Sequence, residues 1–358
     1  MLRHLKTLTM LGAVLALGLT APTADAQVLK GKTITVMIGY SAGGSTDTYS
    51  RIFAPYWEKH TKGNPKFIIK SMPGAGGMKV LNWLTAKAPK DGLTIMIGPT
   101  LTISQVLGQK GARFDYTKFT TLGGFISNSL LTYVRNDAVP GGLKKRSDIL
   151  KVKAVKQAGL RATAWYDLTT RLALDILGIK NTYVPGYRGG AKIRAAIRQG
   201  EATIGGIPMG GFRSGAEPTM GDIVTALWYF PFVDQNGKFV ADPSAKEIPS
   251  FIDFHKQVKG ALPSGPKWEY LKFILNLRSN GSTNIVAGPP GMNKEAAAVL
   301  RKGLLATFRD KEAQAKYEKV LGNPLNPLTV ARIGKGLASM QNADKALVKQ
   351  LTDYAYGR

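Results

Sequence analysis

The stretch Thr33-Ile34-Thr35-Val36-Met37-Ile38-Gly39 runs directly into Tyr40-Ser41-Ala42-Gly43-Gly44-Ser45-Thr46-Asp47. A short β-branched run of this kind reads as a buried strand, and the glycine-containing loop after it opens a helix. In that helix Tyr49, Ile52, Phe53, Tyr56 and Trp57 fall at i, i+3, i+4, i+7 and i+8, one face of an amphipathic helix. Pro55 inside the pattern predicts a kink, and Gly63-Asn64-Pro65 stops the helix near His60. The same order then repeats. Lys66 to Lys70 is a second strand, and Ser71-Met72-Pro73-Gly74-Ala75-Gly76-Gly77 leads into a helix carrying Val80, Leu81 and Leu84. A turn at Pro89, Asp91 and Gly92 delivers a third strand, Thr94 to Gly98. A βαβαβ order calls for a parallel sheet with helices on its faces.

Farther along, Phe119 to Arg135 reads as two strands, and Pro140 to Lys156 is loop-rich and basic. Residues 160 to 230 carry a second α/β set, clearest in the helix Ala191 to Gln199, with Ile193, Ala196 and Ile197 inward and Gly200 at its end. Ile223 to Leu227 reads as a strand, whereas Val233 to Pro266 is polar and has little periodicity. The signals return with a strand Thr283 to Ala287, the turn Gly288-Pro289-Pro290-Gly291, and a helix started by Asn293 with Leu300, Leu304 and Phe308 on one face.

The 358-residue chain is long enough for two domains. With 44% hydrophobic and 20% charged residues it has a globular composition. It contains no Cys, which excludes disulfides, Cys-ligated zinc, iron-sulfur clusters and thiol catalysis. Three His leave little material for a metal site, so neither metal nor cofactor is expected.

Residues 1 to 26 form an address: Arg3 and Lys6, an apolar run from Leu8 to Leu19, and Ala24-Asp25-Ala26 before Gln27. This is a secretory signal cleaved near Ala26, because the apolar run is shorter than the roughly 20 residues a spanning helix needs. A soluble periplasmic product follows. Removing the signal leaves 47 basic and 22 acidic residues, a charge of +25. The basic residues are scattered; the densest groups, Lys144-Lys145-Arg146 and Lys151-Val152-Lys153, lack a basic helix or an RNA-binding motif. Nucleic acid is not expected as a partner. A solvated surface, or a field that gathers small anions or an anionic membrane surface, accounts for the charge.

The chemistry lies in the two glycine loops. In a parallel sheet both sit at the carboxyl ends of the strands, where open α/β folds bind ligands. Each helix start offers unpaired N–H groups and a partial positive charge, so a shared crevice between them favours an anion. A charge-assisted hydrogen bond contributes roughly 1.5 to 3 kcal/mol and the dipole up to about 1, so a few contacts hold a carboxylate at micromolar strength. Neither loop is a P-loop, and the third glycine position of a dinucleotide fingerprint is Lys79. Asp47, in the first helical turn, complements the dipole and caps the loop, which sets an anionic ligand slightly away from it with water between.

Gly43-Gly44-Ser45-Thr46-Asp47, then Pro73-Gly74-Ala75-Gly76-Gly77, then Ala88-Pro89-Lys90-Asp91-Gly92-Leu93-Thr94 together resemble the substrate-binding proteins of tripartite tricarboxylate transporters, the Bug family. Gly186-Tyr187-Arg188-Gly189 with Arg198-Gln199-Gly200-Glu201 is similar to that family's second-domain motif, and Pro289-Pro290-Gly291 to its C-terminal part. The resemblance implies a two-lobed type II periplasmic binding protein, a Venus flytrap with a mainly parallel sheet in each lobe. Lobe 1 would comprise residues 27–127 and 283–358, and lobe 2 residues 128–282. It also implies a monomer that captures a small organic carboxylate between the lobes and hands it to the membrane subunits of such a transporter, without catalysis. The carried-over site comprises Ala42, Gly43, Gly44, Ser45, Thr46 and Asp47, then Gly74, Ala75, Gly76 and Gly77, with Pro99 and Thr100 closing the third strand. Lobe 2 would add Ala162, Thr163 and Trp165 at a strand-to-helix turn, and Tyr187 and Arg188 near the next. Ala42 stands where the family commonly has Pro, and the turn from Ala162 to Trp165 lacks the usual glycines.

Two other roles suit the same crevice: an exported enzyme acting on a carboxylate, which needs a nucleophile or base there, and a soluble receptor that docks on a sensor kinase. His60 is expected to face the last carbonyls of its helix and His255 to be a surface or groove residue. Neither has a Ser or carboxylate partner nearby in sequence.

Overall fold

The computed structural model describes residues 28–126, 129–234, 236–245, 247–280 and 284–357. The signal segment, residues 1–26, and the expected lobe boundaries at 127/128 and 282/283 lie outside the described residues.

The β-branched run forms β1 (Thr33–Ile38), and the glycine loop opens α1 (Ser45–His60). The aromatic stripe goes inward as its spacing requires: Tyr49, Ile52, Phe53 and Trp57 are buried. Phe53 stacks on Tyr317 with ring centroids 5.6 Å apart, and Trp57 stacks on Phe67 at 4.7 Å. The helix runs on through Pro55, which lies on its exposed face. Next come β2 (Lys66–Ser71), α2 (Met78–Ala86) after a 3-10 turn at Ala75–Gly77, β3 (Thr94–Pro99), α3 (Thr102–Val106) and β4 (Thr120–Ile126).

The chain then builds a second sheet. Its elements are β5 (Leu130–Arg135), β6 (Val155–Ala158), α4 (Trp165–Leu177), β7 (Asn181–Val184), α5 (Gly190–Arg198) and β8 (Ile204–Pro208). A helical run follows as α6 (Met209–Gly211), a π-helical turn at Phe212–Ala216 and α7 (Glu217–Met220), ahead of β9 (Val224–Phe230). A small hairpin, β10 (Phe232–Val233) and β11 (Phe239–Val240), precedes α8 (Phe251–Lys259) and α9 (Pro266–Asn280). The return to the first sheet is β12 (Asn284–Gly288), α10 (Lys294–Arg309), α11 (Lys311–Leu321), β13 (Asn326–Leu328), α12 (Val330–Ser339) and α13 (Lys345–Tyr356).

The strand orders are β13-β4-β12-β3-β1-β2 and β7-β6-β8-β5-β9. In each sheet three strands are parallel, β2-β1-β3 and β7-β6-β8, and these carry the strand-to-helix loops. The remaining pairs are antiparallel. Each sheet is thus parallel only in its loop-bearing half. β12 joins its sheet only after the chain has visited the other one, and it enters reversed against β3 and β4. Apolar clusters cover both faces of the first sheet, and a third fills the second.

The terminal helix departs from the expected allocation of 283–358 to the first sheet. Leu351 and Ala355 of α13 are buried in the second sheet's cluster, and Arg171 of α4 donates to the Ala355 carbonyl at 2.9 Å. The reason is its apolar stripe, which is covered only on that side. The unpatterned stretch after Val233 also holds a helix, α8, capped by Ser250 accepting from the Asp253 amide. Among the described residues no helix is long and apolar enough to cross a membrane.

Candidate functional site

The α1 start meets the second sheet's helix starts around one cavity. From the first sheet's side come Tyr40, Gly44, Ser45, Thr46 and Tyr49, with Pro99 and Asn284 from strand ends and Tyr317 and Leu321 from α11. The other side supplies Leu160, Trp165 and Tyr166 from the α4 start, Gly190 and Ile193 from α5, and Gly210 and Gly211 beyond β8. No side chain caps α1, α4 or α5. The Asp167 and Lys192 amides turn back to the Ala164 and Gly189 carbonyls, which leaves the leading amides, at Ser45, Trp165 and Gly190, facing outward, and each start carries part of the helix dipole. The arrangement is close: a methyl group on Gly211 would strike Ser45 Oγ, and Arg194 Nη2 reaches across to the Gly43 carbonyl at 2.9 Å.

The hydroxyls around the cavity stay neutral. Burial pushes the phenols of Tyr40, Tyr49 and Tyr166 up. Tyr49 donates to Asn284 Oδ1 at 2.8 Å, which ties α1 to β12.

Of the residues expected at the site, Gly44, Ser45, Thr46, Pro99 and Trp165 line the cavity. Asp47 turns back on its own loop, accepting from the Gly43 amide at 3.1 Å and pairing with Arg51 at 2.9 Å, so it caps and does not face a ligand. Ala42 and Gly43 lie beside the cavity without lining it. Thr100 is buried behind β3. Ala162 lines no cavity, and Thr163 is spent on a bridge to Ser104 Oγ at 3.0 Å and to Gln109.

The second glycine loop does not share this seat, contrary to the expectation from the sequence. Gly74, Ala75 and Gly76 border a neighbouring, more open pocket together with Tyr187 and Arg188. Gly76 is left-handed, with φ +60, and points its carbonyl at two of the protein's own donors. One is the Tyr40 hydroxyl at 3.2 Å, and the other is the buried guanidinium of Arg161. Gly77, also left-handed, packs against Tyr40. Arg161, in the loop between β6 and α4, forms no ion pair among the described residues, and its guanidinium donates to the Gly76 carbonyl. Arg188 contributes its backbone: its carbonyl accepts from the Ser41 amide at 3.2 Å while its side chain is exposed. Tyr187 donates to Glu201 at 2.5 Å.

The two His differ from expectation as well. His60 pairs with Asp310 at 2.6 Å, because α11 starts beside the end of α1, and this contact leads in holding the Asp310 carboxyl below the usual range. His255 is buried against the Ala261 carbonyl at 2.8 Å.

Sequence reasoning missed Arg161, Asn284, Tyr317 and the Gly190 and Gly210-Gly211 helix starts. The last had a readable signal: Ile204 to Pro208 running into Met209-Gly210-Gly211 repeats the strand, glycines, helix order of the first loop.

Comparison with known proteins decides the fold. The solved structure of the periplasmic binding protein BugD superposes with a TM-score of 0.66 over 90% of this chain and 96% of that one, at 18% identity. The fold is that of the Bug-type periplasmic binding proteins. Rpa4515 of R. palustris with adipate has this Bug-type architecture too, with a TM-score of 0.64 at 18% identity, over 91% of this chain and 97% of its own. MatC from Rhodopseudomonas palustris with bound malate gives 0.63 at 17% identity, over 90% and 99%. In sequence, a UPF0065 protein of Cupriavidus necator is 42% identical over 85 residues. That match covers 23% of this chain, which spans about a quarter (25%) of the relative's length. No family model matches the chain.

Proposed function

We infer that this protein is an extracytoplasmic solute-binding protein that captures a small carboxylate between its two sheets. One observation carries the reading: the uncapped starts of α1, α4 and α5 open into one cavity, so backbone N–H groups and helix dipoles from both sides converge on one volume. Malate and adipate in the two R. palustris structures are carboxylates in proteins of this fold. The lobes are proposed to divide near 127 and 283, with α13 lying across onto the second. Gly44, Ser45, Thr46, Pro99 and Trp165 are the retained site residues.

A ligand touching both sides favours the closed form by its difference in affinity for the two forms. Delivery goes to the membrane subunits of a tripartite tricarboxylate-type transporter, from a periplasmic monomer released by cleavage near Ala26. The enzyme reading is not favoured, because the residues lining the cavity include no His, Lys, Asp or Glu to act as base. Native mass spectrometry of protein purified from its own host is the test. An acid recovered unchanged, which raises the melting temperature when added back, supports binding. Turnover of that acid, or no acid among the bound species and no thermal shift with any carboxylate, overturns it.

A further inference from the structure

The cavity that would hold the carboxylate is small, and no charged side chain lines it. The space open to the centres of water molecules is about 60 Å³. At roughly 10 to 15 Å³ per water this is room for about five waters, some ~150 Å³ of liquid. Five aromatic rings border it, those of Tyr40, Tyr49, Trp165, Tyr166 and Tyr317. No Lys, Arg or His lines it. Three cations lie near it without lining it: Arg161 is bound to the Gly76 carbonyl and to Ser104 Oγ, Arg194 to the Gly43 carbonyl, and the buried Arg278 stacks over the Trp165 ring at 4.2 Å. The α1 start at Ser45 lies against Gly211, and the α5 start at Gly190 lies beside Arg194, whose Nη2 reaches the Gly43 carbonyl just ahead of α1.

Building on the carboxylate-binding reading, we propose that the ligand is a small acid with a single carboxylate and a flat apolar body, of about ten non-hydrogen atoms or fewer. The carboxylate takes the amides at the α1 and α5 starts, and the body lies among the aromatic rings, where a planar group stacks favourably. A second carboxylate in the same space would be desolvated among rings with no cation among the lining residues, and burying an unpaired charge is costly.

The test is calorimetry and thermal denaturation of the full mature protein with benzoate, benzamide, succinate and citrate as probes. Benzoate is expected to bind at least tenfold more tightly than succinate and than the neutral benzamide, with no thermal shift from citrate. Succinate or citrate binding as tightly as benzoate overturns the single-carboxylate, small-body assignment while leaving carboxylate binding intact. Benzamide matching benzoate, or no acid binding at all, overturns both this assignment and the reading beneath it.

Discussion

Arg161 reaches from the second sheet's β6 loop to the first sheet's Gly76, donating from Nη1 to its carbonyl while Nε donates to Ser104 Oγ at 3.1 Å. Arg161 as a whole is 6% exposed. A loop that sequence alone assigns to a bound anion thus offers a carbonyl to the protein's own cation. Hydrogen bonds from a charged donor contribute roughly 1.5 to 3 kcal/mol each, so this side chain is a substantial part of what holds the two halves together.

Replacing it should open the molecule. In Arg161→Met the apolar stem is retained and both cross-links are lost, so the ligand-free protein should populate an open form, seen as a larger radius of gyration in solution scattering. Affinity for the bound acid should drop about tenfold, since part of the closing energy now comes from the ligand alone. An unchanged radius would show that Arg161 does not hold the halves together.

Gly211 is the place where the cavity can be filled without disturbing the backbone. Its conformation is ordinary right-handed helix, but a Cβ there would meet Ser45 Oγ and the Ile207 side chain, with Ile207 Cγ1 at 3.1 Å. Gly211→Ala should therefore leave the melting temperature within a few degrees of wild type, alanine being the better helix former by roughly 1 kcal/mol. Binding of the acid that most raises the wild-type melting temperature should weaken tenfold or more by calorimetry. Normal affinity would mean that the ligand does not lie against Ser45.

What the sequence disclosed and what it hid follow from range. The 2-residue and 3.6-residue periods of β1, α1 and β2, and the Asn293 cap of α10, are local, so they read directly. The site is assembled from helix starts at Ser45, Trp165 and Gly190, far apart in the chain, and only the crossing between sheets brings them together. The plug at Gly76 was invisible for the same reason: nothing near residue 76 announces an arginine 85 positions away. α8 escaped because its stripe, Phe251, Phe254 and His255, is too short to establish a period.

Asp167 supplies a pH dependence. Its carboxyl is fully buried beneath the Arg161 turn; Oδ2 accepts from the Leu160 and Arg161 amides and the Tyr183 hydroxyl, and Oδ1 has no partner among the described residues. Burial dominates and pushes its pKa from 3.8 up to about 6. The folded protein then keeps a proton that the unfolded chain releases, so stability from this group is present below pH ~4, is lost as the pH rises to ~6, and is level above that. At ~1.4 kcal/mol per unit the loss is about 3 kcal/mol. Urea unfolding of wild type and Asp167→Asn between pH 4 and 7 should show this fall as the difference between the two. Parallel curves would place the Asp167 titration elsewhere.

The role of the second glycine loop is decided by whether its effects add to those of Arg161. At φ +60, a Cβ on Gly76 would occupy the place of the Arg161 guanidinium, so Gly76→Ala should displace it and imitate Arg161→Met, with added backbone strain of about 1 kcal/mol at a left-handed position. If Gly76 acts only through Arg161, the double variant should bind the acid no more than about twofold more weakly than the worse single variant, because both remove one interaction. If the loop also donated amides to the ligand, the losses would multiply, to about a hundredfold for two tenfold effects. Measured dissociation constants for the four proteins separate these cases. Multiplying losses would return the second loop to the binding site, whereas a shared loss makes it the anchor of the interlobe arginine.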